Sequence, residues 1–210
     1  MKRFEIITEA DARMLEIGSS VELAPGGHIT PLALDTLRDR RVTVVRLDGR
    51  DRSVEPPTAE IRRVAIGSDH TGVTLRRALV AHLRGRGIAV TESGAEGKDP
   101  VDYPDVAAAV ARAVARGEAD AGIVIDGAGL GSCIAANKIR GIRAAMCTSP
   151  TLARYAREHN GSNVLALGAT LLSTDEAIAI VGTWLTTAMV EPRYIRRLAG
   201  IRALEEDGRV

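Results

Sequence analysis

From residue 64 onward, short apolar runs alternate with longer amphipathic ones, and this alternation limits the fold more than any other feature. The short runs predict strands at residues 64–67, 88–91, 121–125, 142–146 and 164–167. The longer stretches predict helices near residues 72–86, 103–116, 131–138, 149–159 and 173–188. Five strand–helix units in succession predict an α/β protein with a three-layer Rossmann-like fold and a five-stranded parallel sheet.

Residues 1–60 do not continue this pattern. Thr8 to Asp11 resembles a capping box that opens a short helix to about Ile17. Pro25-Gly26-Gly27 predicts a turn, Thr30-Pro31 a second helix ending near residue 40, and residues 42–45 a short strand. About 45 residues can bury only a small core, so we expect this appendage to pack on the main domain, a partner subunit or a larger assembly.

The chain is predicted to divide near residue 60. Residues 48–63 are polar and contain Pro56-Pro57, which favours an extended linker. We therefore predict an N-terminal extension with its linker over residues 1–60 and a main domain over residues 61–210.

Composition excludes several functional classes. Net charge is +1 and aromatic residues make up 2% of the chain, which argues against nucleic acid as a partner. The apolar runs are too short for a membrane span, and the N-terminus lacks the apolar core of a secretory signal. Cys133 and Cys147 have no paired spacing, so neither a disulfide framework nor a metal site is expected. These observations predict a cytoplasmic protein.

Polar or glycine-rich clusters follow three of the predicted elements. They are Gly67 to Gly72, Asp126 to Ser132, and the pair His159-Asn160. Ligands bind beyond the carboxyl ends of the strands in open parallel sheets. We expect all three clusters to project from that same edge.

The loop Gly127-x-Gly129-x-Gly131 leads into a helix and suits an oxyanion or a phosphate group. It matches neither the dinucleotide fingerprint nor the P-loop, and it is equally consistent with a tight turn. His70 and His159 are candidate proton shuttles, although either alone is more often a structural residue. His28 and His82 are interpreted as structural.

Near the C-terminus, Arg193 and Arg197 are four residues apart and would share one helical face. Paired guanidinium groups suit a phosphate monoester, while a solvated helix end is the alternative interpretation.

Several motifs together resemble the ribose-5-phosphate isomerase B and galactose-6-phosphate isomerase family. The resemblance runs from Val64 to about Arg197. It is carried by Gly67 to Gly72, Val101-Asp102-Tyr103-Pro104-Asp105, Gly127 to Gly131, Ile134 to Lys138, Gly141 to Ala145, and Glu158-His159-Asn160 with Asn163-Val164-Leu165.

The resemblance implies metal-independent, cofactor-free isomerisation of a phosphorylated aldose to its ketose through a cis-enediolate. His159 would assist opening of the sugar ring, and Asp69, His70, Tyr103 and Asn160 would contact the substrate. Arg193, Arg197 and His70 would bind the phosphate. The N–H groups of Gly127, Ala128, Gly129, Leu130 and Gly131 would stabilise the oxyanion. The family's site lies between two subunits, which implies a homodimer or homotetramer.

The chain departs from the family's pattern at the base. Many members carry Cys-Gly-Thr-Gly where this chain has Asp126-Gly127-Ala128-Gly129, with the cysteine as the base. A second branch uses a glutamate at the position of Ser132. Cys133 lies seven residues beyond Asp126 and cannot simply substitute, so Asp126 is the candidate base.

The alternative is that Asp126 only caps the loop. One subunit type of galactose-6-phosphate isomerase also carries Asp at this position, which leaves open a non-catalytic or half-site sugar-phosphate-binding subunit. Ala128 lacks the threonine hydroxyl, and Tyr194 replaces a histidine of many members, so the preferred sugar could differ.

The N-terminal segment has no counterpart in the minimal family. Its runs Ile7 to Asp11 and Ile29 to Ala33 look somewhat like parts of enzymes housed in bacterial microcompartments. Residues 1–60 are therefore a candidate targeting arm for such a shell or for a partner enzyme, with a structural arm as the alternative. Cargo loading of a chain lacking these residues would separate the two.

Overall fold

The computed structural model describes residues 2–46, 60–97 and 99–207, and the chain divides into two units, Met1–Ser53 and Val54–Val210. Residues 48–59 of the predicted linker, with Pro56-Pro57, lie outside the described residues, and its last residue, Arg63, begins a strand.

The first unit is a three-stranded parallel sheet with two helices. Its elements are β1 (Arg3–Ile7), α1 (Glu9–Met14), β2 (Ser20–Ile29), α2 (Pro31–Asp39) and β3 (Thr43–Arg46), and the strand order is β1-β2-β3. The predicted capping box is confirmed, because Thr8 and Asp11 each accept the other's backbone N–H. The helix it opens ends at Met14, earlier than predicted.

Strands β1 and β2 were not predicted from the sequence. The turn predicted at Pro25 to Gly27 is wrong: β2 continues through these residues, where its pairing with β1 shifts in register from Phe4 opposite Leu23 to Ile6 opposite His28. The unit has a small apolar core of its own. Nine residues form this core: Ile7, Ala12, Leu15, Val21, Leu23, Ile29, Ala33, Leu37 and Val42.

The second unit confirms the predicted five-stranded parallel sheet. Its elements are β4 (Arg63–Ser68), α3 (Val73–Gly85), β5 (Ala89–Gly94), α4 (Tyr103–Ala115), β6 (Ala121–Asp126), α5 (Leu130–Ala136), β7 (Ala144–Met146), α6 (Pro150–Glu158), β8 (Val164–Gly168), α7 (Thr174–Thr186) and α8 (Pro192–Asp207). The strand order is β5-β4-β6-β8-β7.

Helices cover both faces of this sheet. Residues of α3, α6 and α7 pack with the sheet in one apolar cluster, and residues of α4 and α5 pack in a second. In the part of the chain that the structure describes, no helix is long and apolar enough to cross a membrane.

The chain reverses direction across the sheet between β4 and β6. From β4 it passes to β5 on one side, then returns to β6 on the other side. The crevice beyond the carboxyl ends of β4 and β6 is therefore the topological switch point, where open α/β sheets bind ligands. Asp69 directly follows β4, and Asp126 is the last residue of β6.

The prediction that all three polar clusters share this edge is wrong for His159 and Asn160. These residues follow α6 and lead into β8, so they lie at the amino edge of the sheet. Asn163, just before β8, accepts a hydrogen bond from Gly122 N at the start of β6. Gly122 pairs with Val164 and Asp126 with Gly168. The two edges are thus separated by about 13 Å along the strands, at ~3.3 Å per residue.

Candidate active site

The Asp126 carboxylate organises the glycine-rich loop at the carboxyl edge. It is 5% exposed. Its Oδ1 accepts the N–H of Ala128 at 2.9 Å and that of Gly129, and its Oδ2 accepts the N–H of Ser132 at 2.7 Å. An ionised carboxylate offers about four acceptor positions, so three are occupied and one on Oδ2 remains. Asp126 therefore does cap the loop, as the alternative interpretation required.

Fewer N–H groups of the capped loop are available to bind an anion than the sequence predicted. Of the five N–H groups expected to face the oxyanion, those of Ala128 and Gly129 donate to Asp126 instead. Leu130 and Gly131 are the first two residues of α5, where N–H groups have no acceptor within the helix. The candidate oxyanion donors are thus reduced to Gly127, Leu130 and Gly131.

Two glycines allow the close packing around this loop. Gly129 has φ +78°, and a Cβ there would lie 2.8 Å from the carbonyl carbon of Leu167. A Cβ on Gly131 would lie 2.5 Å from Cζ of Tyr103. Tyr103 is the first residue of α4 and is 41% exposed. Its ring therefore borders the loop, and its role in lining a site stays a prediction.

Asp69 and His70 lie beside this loop. Asp69 N–H donates to the carbonyl of Ile125 at 3.1 Å, which holds it against the end of β6. Its buried Oδ1 accepts Thr71 N–H at 2.9 Å and Thr71 Oγ1–H at 2.6 Å, while the side chain of His70 is exposed. The carboxyl-edge group thus comprises Asp69, His70, Tyr103, Asp126 and the loop Gly127 to Gly131.

The other predicted site residues lie at the amino edge. His159 follows the last residue of α6, and its imidazole stacks with the rings of Tyr155 and Tyr194. Asn160 is exposed and donates from Nδ2 to the carbonyl of Tyr155 at 3.1 Å. The Arg197 guanidinium lies over the ring of Tyr194. The amino-edge group thus comprises His159, Asn160, Tyr194 and Arg197.

The predicted pair of arginines is on a helix, because α8 contains both Arg193 and Arg197. The side chain of Arg193 lies outside the described part of the structure.

Both cysteines are poorly suited to act as a base. Burial, followed by the charge of Asp126, raises the pKa of the half-buried Cys133 thiol. The Cys133 thiol donates to the carbonyl of Ala144 at 3.4 Å. Burial raises the pKa of Cys147 to about 12. The thiolate is the reactive form of cysteine, so neither residue supplies an accessible nucleophile near neutral pH.

We therefore expect Cys133→Ala to keep turnover close to that of the wild type. Alkylation of Cys133 by iodoacetamide should be slow at neutral pH and faster in an Asp126→Asn chain, because removing the neighbouring charge lowers the thiol pKa. Alkylation followed by mass spectrometry measures both rates. Loss of turnover in Cys133→Ala, with an unchanged melting temperature, would contradict this prediction and make Cys133 a candidate base.

Three supporting residues were missed from the sequence. Thr170 Oγ1 donates to the carbonyl of Gly127 at 2.6 Å and holds the loop against the end of β8. Thr71 holds Asp69, and Tyr155 stacks on His159. Thr170 follows a strand, and Tyr155 precedes His159 by one helical turn. In the sequence, only their positions relative to strands or to a named site residue could have indicated these three residues.

Among the described residues, no group of three or more His, Cys, Asp or Glu side chains is arranged to hold a metal ion. The buried carboxylates of Asp69 and Asp126 and the glycine-rich loop thus lie together at the switch point of an α/β protein.

Comparison with known proteins identifies the family. Residues 64–201 match the model of the Ribose/Galactose Isomerase family. The chain therefore belongs to this family.

Curated relatives agree with this assignment. The chain is 42% identical to "Ribose-5-phosphate isomerase B" of Escherichia coli, over 70% of this chain and 98% of the relative. It is 40% identical to "D-erythrulose-4-phosphate isomerase" of Pectobacterium atrosepticum, over 58% and 81%. The chain is accordingly an enzyme of the isomerase class.

Solved structures extend the similarity to the fold. Ribose-5-phosphate isomerase B of Clostridium thermocellum is 47% identical with a TM-score of 0.68, covering 69% of this chain and 98% of that one. The Mycoplasma genitalium enzyme, solved with bound ribulose-5-phosphate, is 37% identical with a TM-score of 0.66, covering 69% and 97%. The family match covers residues 64–201 and lies within the second unit, so the first unit is outside it.

Proposed function

We propose that this protein interconverts a phosphorylated aldose and its ketose through a cis-enediolate, with Asp126 as the base. The observation that carries the proposal is a buried carboxylate held beside a glycine-rich loop at the switch point. Asp126 would take the proton from C2 of the open-chain aldose and return it to C1. The N–H groups of Gly127, Leu130 and Gly131 would stabilise the charge that develops on oxygen.

The remaining acceptor position of Asp126 supports this role. Oδ2 accepts one N–H, from Ser132, whereas Oδ1 accepts two. A base must reach the proton that it removes, and fixing its geometry is part of its efficiency. The cap on Asp126 thus restrains the carboxylate while leaving Oδ2 one acceptor position for the substrate proton.

We propose that a complete site takes its amino-edge group from a second copy of the chain. Within one chain the two groups lie on opposite edges of the sheet. In the assembly, His159 would assist ring opening, Asn160 would contact the sugar, and Arg193 and Arg197 would hold the phosphate. Leu130 and Ile134 on α5, beside the loop, are 59% and 63% exposed. Such an apolar face next to the loop supports a homodimer or homotetramer.

The substrate class follows from the relatives. They are named for ribose 5-phosphate and for D-erythrulose 4-phosphate, so a pentose or tetrose phosphate is proposed, with hexose phosphates as further candidates. Ala128 places a methyl group where many members carry a threonine hydroxyl. We expect this change to alter the preference among these sugars.

Deuterium exchange tests the proposed chemistry directly. Purified protein in D2O with EDTA should incorporate deuterium at C2 of at least one aldose phosphate from a panel of tetrose, pentose and hexose phosphates. Nuclear magnetic resonance identifies both the position and the sugar. Exchange with no panel member, alongside intact sugar-phosphate binding by calorimetry, would favour a binding subunit and contradict the proposal.

Two further assignments stay predictions. A cytoplasmic location, including the interior of a bacterial microcompartment, is proposed from the metabolic class of the relatives. Residues 1–60 are proposed as the arm that contacts a shell or a partner enzyme, because they extend beyond the region shared with those relatives.

A further inference from the structure

The imidazole of His159 is covered on two sides by tyrosine rings from different helices. Tyr155, one turn earlier on α6, stacks on it with ring centroids 4.7 Å apart and planes inclined by 17°. Tyr194, near the start of α8, approaches with centroids 4.3 Å apart and an inclination of 30°. Both centroid distances are short for aromatic contacts in proteins.

The tyrosine rings are themselves held in place. The guanidinium carbon of Arg154 lies 4.8 Å from the centroid of Tyr155, and that of Arg197 lies 5.7 Å from the centroid of Tyr194, both within cation–π range. Tyr194 is 8% exposed and packs in an apolar cluster with Met189 and Leu198. The His159 imidazole therefore connects α6 and α8, because it contacts Tyr155 on the first helix and Tyr194 on the second.

The stack leaves the edge of the imidazole available. The side chain of His159 is 32% exposed, and its Nε2 lies 3.9 Å from Glu158 Oε1, beyond hydrogen-bonding distance. A ring that is stacked on its faces has its nitrogen atoms at the edge that the stacking leaves uncovered. This is the geometry that a proton donor to a sugar-ring oxygen requires.

We propose that Tyr155 and Tyr194 are positioning residues that orient His159 for ring opening. This inference rests on the proposed function. The inference predicts different effects for a sugar phosphate that forms a ring and for one that stays open. Ribose 5-phosphate closes into a furanose and must be opened before C2 can lose its proton. Ribulose 5-phosphate cannot close in this way because its 5-hydroxyl carries the phosphate, so its exchange at C1 needs no ring opening.

Tyr194→Ala is therefore expected to lower turnover of ribose 5-phosphate by about tenfold to a hundredfold, the range expected for a misplaced catalytic group. Deuterium exchange into ribulose 5-phosphate should stay close to the wild-type rate. Tyr194→Phe keeps the ring and should restore turnover of ribose 5-phosphate. Tyr155→Ala removes the other ring at a more exposed position, and it should act in the same direction without the risk to folding that a buried substitution carries.

A second measurement does not depend on turnover. Stacked rings shift the proton resonances of an imidazole, and His159→Gln assigns those of His159 among the four histidines. The His159 signals should move toward free-histidine positions in Tyr194→Ala and in Tyr155→Ala, but not in Tyr194→Phe.

The outcomes separate this inference from the proposed function. If the wild type exchanges no sugar phosphate, the proposed function fails, while the resonances still decide whether the two tyrosines orient His159. Equal loss of turnover and of ribulose 5-phosphate exchange in both alanine variants would overturn the inference, because the tyrosines would then support the site in general. Unchanged His159 signals would overturn it as well.

Discussion

Asp126→Asn is expected to lower deuterium exchange into the preferred sugar phosphate by about 10²- to 10⁴-fold, the usual contribution of a general base. The asparagine side chain has nearly the same shape as aspartate but cannot accept the proton. Its oxygen can still accept the N–H groups of Ala128 and Gly129. Its NH2 group, however, would face the N–H of Ser132 and lose that hydrogen bond. Exchange measured by nuclear magnetic resonance gives the rate.

Asp126→Cys distinguishes a base from a cap. It introduces the thiol that many family members carry at this position, but a thiol accepts three N–H groups far less well than a carboxylate. If the position supplies the base, the cysteine variant should regain much of the exchange that the asparagine variant loses. If Asp126 serves only as a cap, both variants should lose exchange and both should melt at lower temperature.

Asp120→Asn is the matched control. Asp120 also accepts backbone N–H groups, from Arg62 and Arg63 at 2.9 and 2.8 Å, but it precedes β6 and belongs to neither group of site residues. Its replacement should affect stability and leave exchange intact. Exchange in Asp126→Asn close to that of Asp120→Asn would show that Asp126 is not the base.

Mixing two inactive variants should restore activity. In a chain pair that combines Asp126→Asn with His159→Gln, one site carries both substitutions and the other carries neither. Random pairing makes half of the dimers mixed, so turnover of ribose 5-phosphate should recover to about a quarter of the wild-type value. Each variant alone should stay inactive toward this cyclic substrate. The measurement needs subunit exchange, or co-expression with two different tags.

The control for this experiment places both substitutions in one chain. Mixing that double variant with the wild type leaves every site of a mixed dimer with one substitution, so it should add no activity beyond that of the remaining wild-type dimers. No recovery from the complementary pair, despite isolated mixed dimers, would mean that Asp126 and His159 do not act in one shared site.

The main-domain strands could be predicted because their apolar runs are bounded by polar or glycine-rich residues. The residues of β6, from Ala121 to Ile125, are buried on both faces and form a continuous apolar run. Strands β1 and β2 of the first unit could not be predicted in this way. Strand β1 is only five residues long, although Arg3 to Ile6 alternate between charged and apolar residues, and Pro25-Gly26-Gly27 within β2 is a pattern typical of a turn.

The site was partly predictable for a related reason. Residues at or directly after the ends of strands, such as Asp126 and Asp69, could be assigned to the carboxyl edge because parallel strands end together. His159 follows a helix, and a helix in such a fold returns the chain to the opposite edge. The hydrogen bonds of Asp126 to the loop depend on how the backbone folds back over six residues, which residue pattern alone does not specify.

The separation of the two edges of the sheet has a consequence for the behaviour of the enzyme in solution. A single chain holds the loop and the candidate base at the carboxyl edge of the sheet, and the stacked histidine at the amino edge. In the proposed shared site, activity toward a cyclic sugar requires paired chains, so we expect specific activity to fall when the protein is diluted below the dissociation constant of the pair. We therefore expect the turnover of each molecule to depend on how much of the enzyme is present.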